Sequence, residues 1–129
     1  MIIETKEQSE WVISGALLEF AADGEFELVC EIIDVYLSDT QEKVEALGKV
    51  VPEFDAVGAR RLAHSLKGSA RQMGTLRFGD DLEKLEHCVA GVNAAELSAL
   101  VQVIEERWIE VKREVNHTRQ SMTRQGVAR

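Results

Sequence analysis

The sequence has little of what breaks helices or cross-links a chain. Among its 129 residues there are one proline, nine glycines and two cysteines, and aromatic residues make up only 5%. So few helix breakers allow long helices, with a core built mainly from Leu, Val, Ile and Ala. No apolar run reaches the roughly 18 residues of a membrane-spanning helix. The N-terminus also lacks the basic and apolar segments of a signal peptide. We therefore expect a cytoplasmic protein that does not bind or cross a membrane.

A basic excess and a metal-binding pattern are also absent. The formal net charge is −8, which argues against a nucleic-acid-binding protein because such proteins usually carry clustered positive charge. Cys30 and Cys88 are far apart among apolar neighbours, so we expect buried free thiols in a reducing compartment. No His and Cys residues have zinc-site spacing, and no Glu-x-x-His repeats indicate a di-iron bundle. The sequence predicts no metal site and no cofactor.

The apolar residues recur at steps of three and four, which is typical of amphipathic helices. Turn signals at Asp23-Gly24, Pro52, Gly74 and Gly91 separate the helices, and Thr75 and Asn93 are expected N-caps. The predicted helices run from about Ser9 to Ala22, Glu25 to Val50, Asp55 to Met73, Leu76 to Ala90, and onward from Asn93. We predict an all-α fold, an antiparallel four-helix bundle with a short additional N-terminal helix. The bundle domain covers residues 1–116, and residues 117–129 form a polar, frayed tail.

The third predicted helix has two distinct faces. At about 100° per residue, one face is apolar and carries Ala59, Leu62, Ala63, Leu66, Ala70 and Met73. The opposite face carries Arg60, His64, Lys67, Gly68 and Arg71. Imidazole is a good nucleophile near neutral pH, and phosphoryl transfer requires mainly positioning and charge on the phosphate oxygens. Lys67 and Arg71 can supply that charge, and Gly68 leaves an open approach. Spacing alone nevertheless still favours an ordinary solvated histidine.

A longer motif around the histidine favours the functional interpretation. The run His64-Ser65-Leu66-Lys67-Gly68-Ser69-Ala70, followed by Gly74-Thr75-Leu76, resembles the signature of the histidine-containing phosphotransfer (HPt) family. Leu82-Glu83-Lys84-Leu85-Glu86 resembles the helix that follows in that family, and the resemblance extends from about Leu17 to Val115. It implies a stoichiometric phosphocarrier, not an enzyme, that relays a phosphoryl group between receiver-domain aspartates without binding ATP.

The resemblance also implies roles for particular residues. His64 matches the phosphorylated residue, Lys67 the cation near the phosphate, Gly68 the small residue beside the docked receiver, and Glu86 the residue that orients the histidine ring. Arg71 departs from the family pattern, which has small residues there, and is expected to add charge near the phosphate. Arg60 is expected to contact the docked partner together with Gly68. The implied partners are receiver domains of response regulators or of a hybrid histidine kinase, and we expect a monomer.

Other interpretations of the sequence have less support. A helical adaptor that docks a receiver or histidine kinase without carrying phosphate is the alternative, although such an adaptor has no need of a nucleophile. The phosphoacceptor motif of a sensor kinase does not fit Ser65-Leu66 after the histidine. His87 has no lysine three residues later and no glycine four residues later, and His117 is expected to be solvated. Trp11 and Trp108 are expected to fill the core or an interface.

Overall fold

The computed structural model describes residues 15–128, and every regular element in that range is a helix. The elements in chain order are α1 (Gly15–Ala22), α2 (Phe26–Val50), α3 (Ala56–Met73), α4 (Leu76–Cys88), a short 3-10 helix (Val89–Gly91) and α5 (Ala94–Ala128). Helices α2 and α4 each pack against both α3 and α5, and α1 packs on α2. The predicted all-α bundle is confirmed. Residues 9–14 of the first predicted helix lie outside the described range.

A tight connection joins α3 to α4. Gly74 adopts a left-handed conformation with φ 94°, which glycine tolerates best, and the Thr75 amide donates to the carbonyl of Ala70 at 2.9 Å. This geometry ends α3 and turns the chain back. The Thr75 hydroxyl also donates to the Ala70 carbonyl (2.9 Å) and lies 3.0 Å from the Tyr36 hydroxyl. Thr75 occupies the N-cap position of α4 as predicted, but its side chain makes no capping hydrogen bond there because the hydroxyl donates to the end of α3.

Side-chain caps begin two of the helices. Asp55 precedes α3, and its carboxylate accepts from the amide of Gly58 at 2.9 Å. Before α5, the Asn93 side chain accepts from the Glu96 amide (2.8 Å) while the Glu96 carboxylate accepts from the Asn93 amide (2.9 Å). Each cap satisfies backbone donors that have no partner inside the helix. The predicted role of Asn93 as an N-cap is confirmed.

The core consists of the apolar stripes that the periodicity predicts. The ring of Trp108 lies at its centre, 5.8 Å from the Phe78 ring and 6.0 Å from the Tyr36 ring. Its indole Nε1 donates to the side-chain oxygen of Gln41 at 2.8 Å, so the polar atom is satisfied. The placement of Trp108 in the core is confirmed, and Trp11 lies outside the described residues. On α3, the predicted apolar face is buried except for Leu62, which is partly buried.

Two predictions about the periphery were wrong. The segment from residue 117 is not frayed, because α5 continues to Ala128 and Met122 is buried. Met122 follows the buried Val115 by two helical turns and so extends the same stripe. Both cysteines are free, but Cys88 is exposed and Cys30 is only partly buried. Within residues 15–128 no helix combines the length and apolarity that crossing a membrane requires.

Candidate functional site

His64 stands on the solvent face of α3, opposite the alanines and leucine that anchor the helix. Ala63 and Leu66 are buried in the core, whereas the side chain of His64 is 70% exposed. Ala59 and Ala70 are buried as well, so α3 packs its small residues against the core. The sequence prediction of a solvent-facing histidine at this position is confirmed.

One ring nitrogen of His64 is held by a carboxylate from α4. His64 Nδ1 lies 2.8 Å from Oε2 of Glu86. A carboxylate accepts hydrogen bonds, so the contact favours the ring form in which Nδ1 carries the proton. The lone pair then resides on Nε2, for which the described residues supply no hydrogen-bond partner. In the neutral ring with that proton placement, Nε2 faces solvent while the contact with Glu86 orients the ring.

Lys67 completes this group from one turn further along α3. Its Nζ lies 2.8 Å from Oε1 of Glu86, and the two side chains are only 16% and 10% exposed. The contact is an ion pair outside ideal hydrogen-bond angles, since Oε1 accepts no well-aligned hydrogen bond. Lys67 first, and then His64, hold the pKa of Glu86 below its usual range against the opposing effect of burial. Lys67 is thus more buried than its place on the exposed face predicted, because it leans onto α4.

Gly68 leaves an open patch beside the histidine. Outside the local backbone of α3, no atom lies within 4 Å of where a Cβ at this position would be. Packing within the chain therefore does not require glycine at this position, although glycine costs a helix about 1 kcal/mol relative to alanine. The fold itself therefore gives no packing reason for glycine at position 68.

A shallow depression of about 380 Å³ adjoins the histidine, and its lining residues are Val57, Arg60, Arg61, His64 and Glu86. Arg60 is exposed, as predicted. Val57, 68% exposed, and Arg61 were not singled out from the sequence. They share the stripe of Arg60 and His64 at steps of three and four residues, and that signal identifies them.

Arg71 does not point toward His64. Its guanidinium lies 2.6 Å from a carboxylate oxygen of Glu83 and 3.3 Å from one of Asp80, both on α4. Arg71 keeps the pKa of Glu83 below its usual range. The structure thus brings Lys67 and Glu86 together with His64 and places the charge of Arg71 among acidic residues further along the helix pair.

The other histidines lack such surroundings. His87 is exposed on α4 beside Lys84 and Cys88, and His117 is exposed on α5. Neither makes a contact resembling the pair between His64 and Glu86. Across residues 15–128, no three His, Cys, Asp or Glu side chains are grouped as a metal site would require.

Comparison with known proteins gives one family and one fold. The family model described as "Hpt domain" matches residues 31–121. The crystal structure of histidine-containing phosphotransfer protein B from Pseudomonas aeruginosa PAO1 superimposes with a TM-score of 0.72 at 21% sequence identity. The match covers 84% of this chain and 95% of that one. At this identity the superposition establishes the shared bundle fold. No curated protein sequence matches significantly.

Proposed function

Because the chain belongs to the Hpt domain family and so acts in histidine phosphotransfer within phosphorelays, we propose that His64 is the residue that carries the phosphoryl group. The observation behind this assignment is the contact of His64 Nδ1 with Glu86, which leaves Nε2 as the nucleophile on a 70% exposed side chain. The donor is the phosphorylated aspartate of a receiver domain, and a second receiver accepts the group.

The transfer has a simple chemical balance. The lone pair of His64 Nε2 attacks phosphorus, an N–P bond forms, and the bond from phosphorus to the aspartate oxygen breaks. The bonding electrons leave with the aspartate carboxylate. The proton on Nδ1 stays in place, so the ring becomes positively charged as the bond forms. The carboxylate of Glu86, 2.8 Å away, stabilises that charge and fixes the ring plane.

The neighbouring residues supply charge to the phosphoryl group and leave space for the receiver domain. Lys67 lies one turn from His64, and its ammonium can move from Glu86 to the oxygens of the phosphoryl group. Gly68 gives the receiver room to approach along the helix. Arg60 lies at the edge of the depression that the receiver would contact. In this proposal the protein is a monomeric cytoplasmic carrier. It takes up one phosphoryl group per molecule and needs neither ATP nor a bound cofactor.

The test is phosphoryl uptake from a radiolabelled phospho-receiver. The parent protein should gain a label that is stable to base and labile to acid, as expected for phosphohistidine. His64→Gln should gain none while its circular dichroism spectrum stays helical. His87→Gln is the matched control, because His87 is an exposed histidine on the adjacent helix and should be labelled like the parent. Label that persists in His64→Gln would contradict the assignment. Receiver binding without any label on the parent would instead support the adaptor alternative.

A further inference from the structure

The site around His64 continues as a ladder of alternating charges between α3 and α4. Because the two helices run antiparallel, residues that ascend along α3 face residues that descend along α4. The ladder consists of His64, Lys67 and Arg71 on α3, and Glu86, Glu83 and Asp80 on α4. Each acidic residue thus has a basic partner, and Lys67 stands between two carboxylates.

Glu83 is a competitor for Lys67. Its pKa is lowered mainly by Arg71 and also by the charge of Lys67, so both cations act on this carboxylate. In the structure Arg71 contacts Glu83 at 2.6 Å, and Lys67 contacts Glu86 at 2.8 Å. Glu83 is thus paired with Arg71, and Lys67 is paired with Glu86.

A glycine on α4 makes room for the side chain of Arg71. Gly79 is buried beneath the Arg71 side chain, and a Cβ at this glycine would lie 3.0 Å from Arg71 Cγ and 3.3 Å from Nε. The missing side chain leaves a path along which the arginine stem crosses α4 to reach Glu83 and Asp80. Because the stem is seated in this way, the guanidinium is directed away from His64.

We propose that Arg71 is a positioning residue that engages Glu83 and Asp80 and thereby keeps Lys67 available to the phosphoryl group on His64. This inference rests on the proposed role of His64. A phosphoryl group adds up to about two negative charges, and Lys67 must turn toward it as it arrives. Without Arg71, the uncompensated Glu83 draws Lys67 one turn away from the phosphoryl group. Arg71 thus acts through Lys67 and does not itself bind phosphate.

A double-mutant cycle between Arg71 and Glu83 tests the inference. The measured quantities are the rate of transfer from a phospho-receiver and the rate of His64 labelling by phosphoramidate, a small donor that needs no docking. We expect Arg71→Ala to slow both about three- to tenfold. Glu83→Gln alone should stay within about twofold of the parent. The double variant should recover to that level, because the competing charge is gone. Arg71→Lys, which keeps the charge, should recover in part.

Two results would overturn the inference. If Arg71→Ala reacts at the parent rate, Arg71 does not influence the site. If the double variant remains as slow as Arg71→Ala, the arginine acts directly on phosphate or receiver. The proposed function fails separately, by absence of label on the parent or by persistence of label in His64→Gln. Circular dichroism checks that every variant is folded, which we expect because Arg71 and Glu83 are each 41% exposed.

Discussion

Replacing Gly68 should have opposite effects on the stability of the fold and on transfer from the partner. The Cβ of an alanine at this position would meet no atom within 4 Å outside the local backbone of α3, so Gly68→Ala should gain the ordinary helix-forming advantage of alanine, about 1 kcal/mol. For a chain of this size that corresponds to a rise in melting temperature of about 3–5 °C. Gly68→Gln should be somewhat stabilising for the same reason.

Transfer should change in the opposite direction. A side chain at position 68 occupies the open patch beside His64, and overpacking a close contact costs about 1–3 kcal/mol. Transfer from the phospho-receiver should therefore slow about five- to a hundredfold, more for glutamine than for alanine. Single-turnover transfer at several receiver concentrations, together with thermal denaturation, measures both effects.

The chain offers a matched control in α2. A Cβ at Gly48 would meet only the end of the flexible Glu105 side chain, at 3.0 Å, on the side of the bundle that faces α5. Gly48→Ala should be as stable as the parent or slightly more so, and its transfer should be unchanged. If Gly68→Gln transfers at the parent rate, with an unaltered dependence on receiver concentration, the receiver does not dock beside position 68. If Gly68→Ala is less stable than the parent, the space around position 68 is not open.

Three further predictions concern the charges and the buried phenol. Lys67→Ala should slow transfer about ten- to a hundredfold. Assays at two ionic strengths should show a smaller loss of transfer rate at high salt. An equal loss at both ionic strengths would argue against a charge effect. Since the folded-state pKa of Glu86 is lowered, its charge stabilises the fold above about pH 5 and ceases to do so as pH falls through that pKa. The difference in the free energy of urea unfolding between the parent and Glu86→Gln should therefore become smaller as pH falls. If this difference became larger instead, the contacts of Glu86 with Lys67 and His64 would be contradicted. Burial raises the pKa of Tyr36 to about 12, so the unfolding free energy should fall, by about 2–3 kcal/mol, as pH rises from about 10 to 12. In Tyr36→Phe the unfolding free energy should not show this decrease at alkaline pH. If the decrease persists in that variant, another group is responsible for it.

The sequence predicted the faces of single helices well, because those depend only on the period of the α-helix. His64 and the apolar face of α3 follow from residue spacing alone. Glu86 did not follow from spacing, since its contact with His64 depends on the register between α3 and α4. It was identified through the resemblance to a family in which that register is already established.

Contacts between helices explain the remaining differences. Arg71 was expected near the phosphate because it shares a face with His64, but the gap at Gly79 and the acidic residues of α4 draw it the other way. Met122 lies in a segment that is mostly polar, so composition obscured its place in the stripe of α5. The position of Arg71 depends on which residues of α4 lie beside it, and residue spacing within α3 alone does not reveal that.

The short α3–α4 connection also bears on how the protein folds. The two helices that surround His64 follow each other directly, separated only by Gly74 and Thr75. Contacts between segments so close in sequence require little loop-closure entropy, and proteins rich in them fold rapidly. We therefore expect the contacts of His64 and Lys67 with Glu86 to form as this helical hairpin assembles. On this reasoning, a newly made or transiently unfolded molecule should regain the arrangement around His64 early in folding.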